Sequence, residues 1–233
     1  MKVRQSVSDT SIIILTRNEI NGVKAVIPKI PKQLVRECFA VDYNSTDGTV
    51  EYFHKHNIPV LQQKTPGRGA AFGLGVARAK GKYLVFFSPD GNEDPSDIPK
   101  LVELLEKGAD LAIGSRFMEG SRNEEDDQLI KPRAWANQTF TLLVNLLWHG
   151  HVSDSINGYR AIRKELFQQL HLDARGFAIE FQMTIRTLKM KKIITEIPTR
   201  EGNRIGGNST SYAVPTGIEF IRLLWREFWL KNI

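Results

Sequence analysis

Asp90 and Asn92 stand two residues apart in Ser88-Pro89-Asp90-Gly91-Asn92, directly after the apolar run Tyr83 to Phe87. Both side chains end in hard oxygens, and on a turn this spacing directs them toward one cation. Magnesium and manganese favour such ligands, usually one or two carboxylates completed by substrate phosphates. A cation bridging a diphosphate there would act as a Lewis acid on a departing nucleoside diphosphate. The competing reading is structural, with these residues capping a helix that starts near Asp97, although Ser96 or Asp97 could cap it alone. Two more polar clusters follow apolar runs in the same way: Thr16-Arg17-Asn18-Glu19, and Asp42-Tyr43-Asn44-Ser45-Thr46-Asp47-Gly48. Turns collect Asp, Asn and Gly for local reasons, so one cluster alone indicates only a turn. Three clusters, each placed where a strand ends, are harder to assign to turns.

Those runs define the elements that must hold the clusters. Ser11 to Leu15, Glu37 to Val41, Ile58 to Gln62, Tyr83 to Phe87 and Asp110 to Ile113 read as strands. Gly69 to Ala79 and Asp97 to Glu106 read as helices between them. Near-continuous apolar strands alternating with helices predict an α/β fold: a doubly wound, mostly parallel sheet covered on both faces. In such a sheet ligands lie beyond the carboxyl ends of the strands, where all three clusters would emerge. The second half is less regular. Glu119 to Gln128 is polar and acidic and reads as a mobile loop. Lys131 to Trp148, Lys164 to Leu170 and Ile179 to Lys189 read as helices, and Ile193 to Pro198 as an edge strand. The run from Ile205 to Thr210 is flexible by composition. The last segment puts Ile218, Ile221, Leu224, Trp225, Phe228 and Trp229 on one helical face, against Arg222, Arg226 and Lys231. No repeat or linker divides the 233 residues, so 1–233 is expected to form a single domain.

Composition sets the outer limits. The 32 Lys and Arg against 26 Asp and Glu leave a formal charge of +6, which suits phosphate-bearing ligands or an anionic membrane face. The basic residues are scattered and match no nucleic-acid motif, so no nucleic-acid partner is expected. Cys38 is the single cysteine, which excludes an internal disulfide and a thiolate metal cluster. It lies in the apolar run Cys38-Phe39-Ala40-Val41 and reads as a small core residue. Met1 to Thr10 carries no apolar signal-peptide core, and Thr139 to Trp148 is far short of the roughly 20 residues of a membrane span. A cytosolic, non-spanning protein is expected, with peripheral contact at a membrane face left open.

In order and spacing the motifs resemble family 2 glycosyltransferases, and within them the dolichyl- or polyprenyl-phosphate mannosyl- and glucosyltransferases. The family's Pro-Thr-Tyr-Asn-Glu stands as Leu15-Thr16-Arg17-Asn18-Glu19, and its Val-Asp-Asp-Gly-Ser-Thr-Asp-Gly-Thr as Val41 to Thr49. Its Gly-Lys-Gly-Ala-Ala helix start stands as Gly67-Arg68-Gly69-Ala70-Ala71. The metal signature Asp-x-Asp-x-Gln corresponds to Ser88 to Asn92, and Gly-Ser-Arg-Tyr to Gly114-Ser115-Arg116-Phe117. Asp-x-x-Ser-Gly-Phe-Arg is similar to Asp154 to Arg160, and Gly-Phe-Ala-Phe-Glu to Gly176 to Glu180. The resemblance runs from about Ile12 to Ser209. It implies the GT-A fold, with a nucleotide-sugar held by Leu15, Arg17, Glu19, Asp42, Ser88, Pro89 and Asp90. It also implies Mg2+ or Mn2+ at Asp90 and Asn92. By the same likeness, residues of about 11–117 form the nucleotide-sugar half, about 130–212 the acceptor side, and 215–231 an amphipathic helix. Three departures stand out. Ser88 replaces the first metal-site aspartate and removes a charge, and Tyr43 replaces the second aspartate of the base-binding motif, leaving Asp42 alone. Thr210 replaces a phosphate-binding lysine in the late Arg-x-x-Gly-x-Ser-Lys motif, whose serine is Ser209.

Within that likeness, Arg116, Arg160, Arg204 and, less so, Arg200 are the candidate phosphate clamps, because the guanidinium fork matches phosphate oxygens. Ser209 joins them through its motif. Asp154 is a candidate general base or a partner that orients Arg160, and Glu180 is a candidate base or partner to an arginine. The activity implied is inverting transfer of a hexose from a GDP-mannose or UDP-glucose type donor to a polyprenyl phosphate. Asp90, Asp154 and Arg116 are its candidate catalytic residues. A saccharide or cell-envelope polysaccharide acceptor is the alternative. A sugar-phosphate nucleotidyltransferase, which usually carries glycine near its first strand, and a non-enzymatic carbohydrate- or nucleotide-binding module are the rival readings. The C-terminal helix either meets a membrane interface and a lipid acceptor or packs on the domain or a second subunit.

Overall fold

In the computed structural model, residues 8–205 and 213–230 are described. The strands are β1 (Ser8–Thr16), β2 (Val35–Asp42), β3 (Val60–Gln62), β4 (Tyr83–Phe87), β5 (Leu111–Ser115), β6 (Arg160–Arg163) and β7 (Ile194–Pro198). The helices are α1 (Ile20–Val26), α2 (Thr49–Lys55), α3 (Arg68–Arg78), α4 (Ile98–Glu106), α5 (Pro132–Trp148), α6 (Lys164–Gln169), α7 (Ala178–Lys189) and α8 (Ala213–Trp229). The strands form one sheet in the order β3-β2-β1-β4-β6-β5-β7. All neighbours are parallel except β6, which runs antiparallel to both β4 and β5.

The Ile-rich first strand explains the layering. Ile12 and Ile14 turn to a core shared with Val23, Phe53, Leu101 and Leu105 from α1, α2 and α4. Ile13 and Leu15 turn to the opposite core, with Phe72, Val76, Leu166 and Met183 from α3, α6 and α7. A strand covered on both faces has no need of polar alternation, which is why β1 and β4 read as unbroken apolar runs. A third core joins α5, α7 and α8 through Val144, Phe181, Ile185, Phe220 and Leu223. Cys38 is half-buried against the first core, and burial pushes its thiol up to about 12.

Three details depart from the sequence expectations. Strand β6 was not anticipated: Arg160-Ala161-Ile162-Arg163 has only two apolar residues between arginines, a pattern too short to signal a strand. The third strand begins at Val60 rather than Ile58, after Pro59, which has no N–H to give a ladder. The acidic segment Glu119 to Gln128, expected to be loose, is anchored at its centre, while both of its ends are exposed. Asn123 and Glu125 are buried, and the Glu125 carboxylate accepts the Ala134 N–H (2.9 Å) in the first turn of α5. The acidic residue thus takes up one of the donors that a helix start leaves open. No helix among the described residues is long and apolar enough to cross a membrane.

Helix α3 lies close against the sheet at Gly75, where a Cβ would meet Ile13 Cγ2 at 2.6 Å and Val41 Cγ2 at 3.5 Å. Gly75→Val is therefore expected to overpack this layer and destabilise the chain by about 1–3 kcal/mol, read as a lowered denaturation midpoint with an unchanged slope.

Candidate active site

Because β1, β2 and β4 are adjacent and parallel, the three polar clusters leave the sheet at one edge. They open onto a cleft of about 730 Å³. Leu15, Arg17 and Glu19 line it from the first cluster, Tyr43 from the second, and Ser88, Pro89, Asp90 and Asn92 from the third. Arg116 and Arg204 line it as well. Asp42 does not: it is fully buried, and its carboxylate accepts from the Ser45 N–H (3.0 Å) and the Ser45 hydroxyl. Asp42, expected at the base or ribose, braces the β2 turn, and Tyr43, with the Arg17 guanidinium 5.1 Å from its ring centre, lines the cleft beside it.

The Asp90 turn is held from two sides. Gly91 has φ 97°, a left-handed conformation that a residue with Cβ resists. The segment after β7 is stitched to the turn, since Gly202 N–H donates to Asn92 O (2.9 Å) and Ile205 N–H to Asp90 O (2.7 Å). That stitching delivers Arg204, whose guanidinium lies 2.8 Å from Asp90 Oδ2 and also pairs with Glu19. Burial raises Asp90 above the usual carboxylate range, with the Asn92 N–H and Arg204 opposing it. Burial likewise lifts Glu19 to about 7, even against Arg204.

The fit of this turn to a divalent cation can be tested on its own atoms. Asp90 Oδ1 accepts the Asn92 N–H at 3.1 Å. The Asn92 Nδ2 donates to Glu124 (3.2 Å), while its Oδ1 is buried without a hydrogen-bond partner. A buried amide oxygen left open beside a carboxylate fits a hard cation. Among the described residues no three His, Cys, Asp or Glu side chains gather to hold a metal. The donor set is therefore one carboxylate and one amide, the kind that relies on substrate phosphates to complete it.

Arg116 is placed by Asp154. Its Nε and Nη2 meet the two carboxylate oxygens at 2.7 and 3.0 Å, and Glu201 stands 3.7 Å away. Burial opposes the guanidinium charge, but the attraction and hydrogen bonds of Asp154 outweigh it and hold Arg116 above its usual range. Burial is also the largest influence on Asp154, yet the paired arginine leaves that carboxyl lowered. Asp154 is fully buried and orients Arg116, not Arg160 as expected, and it does not face the cleft. Arg160, expected as a phosphate clamp, is corrected to a core residue. It is 0% exposed and donates to the Asn157 and Glu180 carbonyls, with burial lowering it to about 10. Glu180 pairs with Arg68. Arg200 lies outside the cleft with one long bond to Gly120 O (3.4 Å). Ser209 and Thr210 lie outside the described residues.

Sequence reasoning assigned no role to Arg68, Tyr43, Glu124 or Glu201, all of which line the cleft. For Arg68 the available signal was its place between Gly67 and Gly69 at a helix start. Glu201 had no local signal at all.

Comparison with known proteins identifies the family and the fold. The sequence profile of the family described as "Glycosyl transferase family 2" matches residues 11–171. A dolichol-phosphate mannosyltransferase from Pyrococcus furiosus is 28% identical over 232 residues, covering 93% of this chain and 62% of that protein. The chain therefore spans less than two-thirds of that relative. An undecaprenyl-phosphate mannosyltransferase from Micrococcus luteus is 30% identical over 200 residues, 80% of each chain. The crystal structure of glucosyl-3-phosphoglycerate synthase from Mycobacterium tuberculosis, in complex with Mn2+, uridine diphosphate and phosphoglyceric acid, superposes with a TM-score of 0.76. It is 22% identical and covers 94% of this chain and 78% of that one. The fold is the α/β GT-A arrangement.

Two measurements test this assignment of residues. Arg160→Met leaves buried carbonyls without donors and is expected to cost about 2–4 kcal/mol of stability, with nucleotide affinity in the surviving folded fraction unchanged. Glu201, raised by burial from 4.5 to about 7, favours the folded chain when protonated. Its contribution is complete below about pH 4.5 and is lost as pH rises through about 7. Glu201→Gln is expected to flatten the fall in stability across that window in pH-dependent denaturation.

Proposed function

The chain belongs to glycosyl transferase family 2, and from that premise we propose that it moves a hexose from a nucleotide-sugar of the GDP-mannose or UDP-glucose type to a polyprenyl phosphate. One observation carries the choice of acceptor. The cleft that holds Asp90, Asn92, Arg116 and Arg204 is also lined by Ala136 and Phe140 of α5 and Phe220 of α8. These two helices pack together and expose Trp135, Leu142, Leu146, Ile221 and Trp225. A polar end for phosphates joined to an apolar wall beside exposed apolar helices suits a lipid carrying a phosphate. The names of the Pyrococcus and Micrococcus relatives point the same way.

The protonation chemistry favours the same acceptor. A phosphate monoester has its second pKa near ~6 and is already an anionic nucleophile at neutral pH. An alcohol acceptor would need a carboxylate free to take its proton. Asp154 and Glu180, the candidate bases, are each committed to an arginine. In the proposed reaction a phosphate oxygen attacks the anomeric carbon. The bond from that carbon to the diphosphate oxygen breaks with inversion, and the nucleoside diphosphate leaves. Arg17 and Glu19 hold the nucleotide, Leu15, Ser88 and Pro89 wall the donor, and Arg116 and Arg204 bind phosphate oxygens. Mg2+ or Mn2+ at Asp90 and Asn92 would supply charge neutralisation for the leaving diphosphate.

Labelled nucleotide-sugars incubated with polyprenyl phosphate and Mg2+ or Mn2+ are expected to yield a labelled, acid-labile glycolipid. Binding of nucleotide with no glycolipid from any common donor rejects the reading. Asp90→Ala is expected to lower kcat by about 10²-fold or more, the scale of a Lewis-acid contribution. For the exposed helix face, we propose contact with an anionic membrane surface. Trp225→Ser with Trp229→Ser is expected to lower co-sedimentation with anionic liposomes about tenfold.

A further inference from the structure

Arg68 is built into the cleft with more care than a surface arginine requires. Its Nε donates to Glu180, whose side chain is buried. Of its terminal nitrogens, Nη2 reaches Ser88 Oγ at 3.3 Å, and no second carboxylate pairs with the guanidinium among the described residues. The guanidinium also lies 5.5 Å from the centre of the Phe72 ring. Its backbone is pinned: Gly69 N–H donates to Arg175 O (2.9 Å), and a Cβ at Gly69 would stand 1.9 Å from Ala174 O. Glycine at residue 158 leaves the end of its side chain in its present place. A Cβ at Gly158 would stand 2.5 Å from Arg68 Nη2.

The surrounding charges say what such a group can bind. Arg204 is paired with Asp90 and Glu19 at the neighbouring turn, and Arg116 with Asp154. Arg68 differs in that its Nε is spent on Glu180 while Nη2 bonds only to neutral Ser88, two residues before Asp90; Glu93 and Asp90 act on the guanidinium through space without an ion pair. A guanidinium edge that meets only a hydroxyl is suited to a bidentate anion. The anion expected beside Asp90 is the donor's diphosphate.

We propose that Arg68 is a donor-binding residue that grips the diphosphate of the nucleotide-sugar directly, giving the cleft affinity for that diphosphate without a divalent cation. The inference rests on the function proposed above and adds a second, protein-borne positive charge to it. Glu180 is the positioning residue for Arg68. Ser88 matters because it is uncharged: a carboxylate there would occupy the edge that the diphosphate takes.

Isothermal titration of the full chain with UDP and uridine, and with GDP and guanosine, in Mg2+ and in EDTA, tests this. The wild type is expected to bind one of the diphosphates in EDTA as well as in Mg2+. Arg68→Met is expected to weaken diphosphate binding in EDTA about ten- to hundredfold, the range for a hydrogen bond to a charged group. Binding of the matching nucleoside should not change, and Arg68→Lys should restore part of the loss. Two variants leave Arg68 in place. Ser88→Asp gives its free edge a carboxylate, and Gly158→Ala pushes Nη2 aside at a backbone angle that tolerates alanine. Both are expected to weaken diphosphate binding in EDTA and leave the nucleoside unaffected. If the wild type binds a diphosphate in EDTA and all three variants bind it equally well, the role of Arg68 is overturned. Diphosphate binding by the wild type in Mg2+ but never in EDTA overturns it too. If the wild type binds neither diphosphate even with Mg2+, the proposed function falls, and this inference falls with it.

Discussion

Several guanidiniums crowd one cleft, and each must be held against its neighbours without a ligand present. Like charges brought into one cleft repel where water is scarce. The chain answers by giving three of them carboxylates from other parts of the fold: Arg68 with Glu180, Arg116 with Asp154, and Arg204 with Asp90 and Glu19. Such pairs cost desolvation and contribute little net stability. Their return is placement, because a paired guanidinium keeps its orientation. The pairs also differ in kind. Arg116–Asp154 is a closed two-pronged bond whose carboxylate is fully buried, whereas Arg204 spans two carboxylates, Asp90 and Glu19.

Placement of those pairs depends in turn on close backbone approaches. The Asp90 turn is sewn to the segment after β7 by two backbone hydrogen bonds. The acidic segment before α5 is bound to the same region, with the Glu124 N–H donating to Glu201 (3.1 Å) and Arg122 N–H to Thr199 O (3.1 Å). The cleft wall is therefore made of chain far apart in sequence, and residues 119–128 serve as structure despite a composition that suggests mobility. On the other side, α5 and α8 share a core with α7 and give their inner residues to the cleft. Their outer residues remain exposed and apolar. One helix pair is thus divided between the cleft and an outward apolar face.

Much of the sheet could be read from residues alone, because strand signals are local. Ile12, Ile13 and Ile14 must be buried on alternate faces, and only a sheet covered twice allows that. The turn at Ser88 to Asn92 was equally visible, since its chemistry depends on a spacing of two. What could not be read was β6, whose four residues carry no periodicity, and the fate of Asp42, whose carboxylate closes its own turn.

Local pattern determined that three polar loops leave one edge of a parallel sheet and that Asp90 and Asn92 share a turn. Only the tertiary structure decided which carboxylate meets which arginine. Asp154 and Arg160 are near one another along the chain, yet Asp154 takes Arg116 and Arg160 is consumed by backbone carbonyls in the core. Arg204 reaches Glu19 across 185 residues and Arg68 reaches Glu180 across 112. Ion pairing follows distance in space and the burial that accompanies it, and neither is encoded by neighbourhood in sequence.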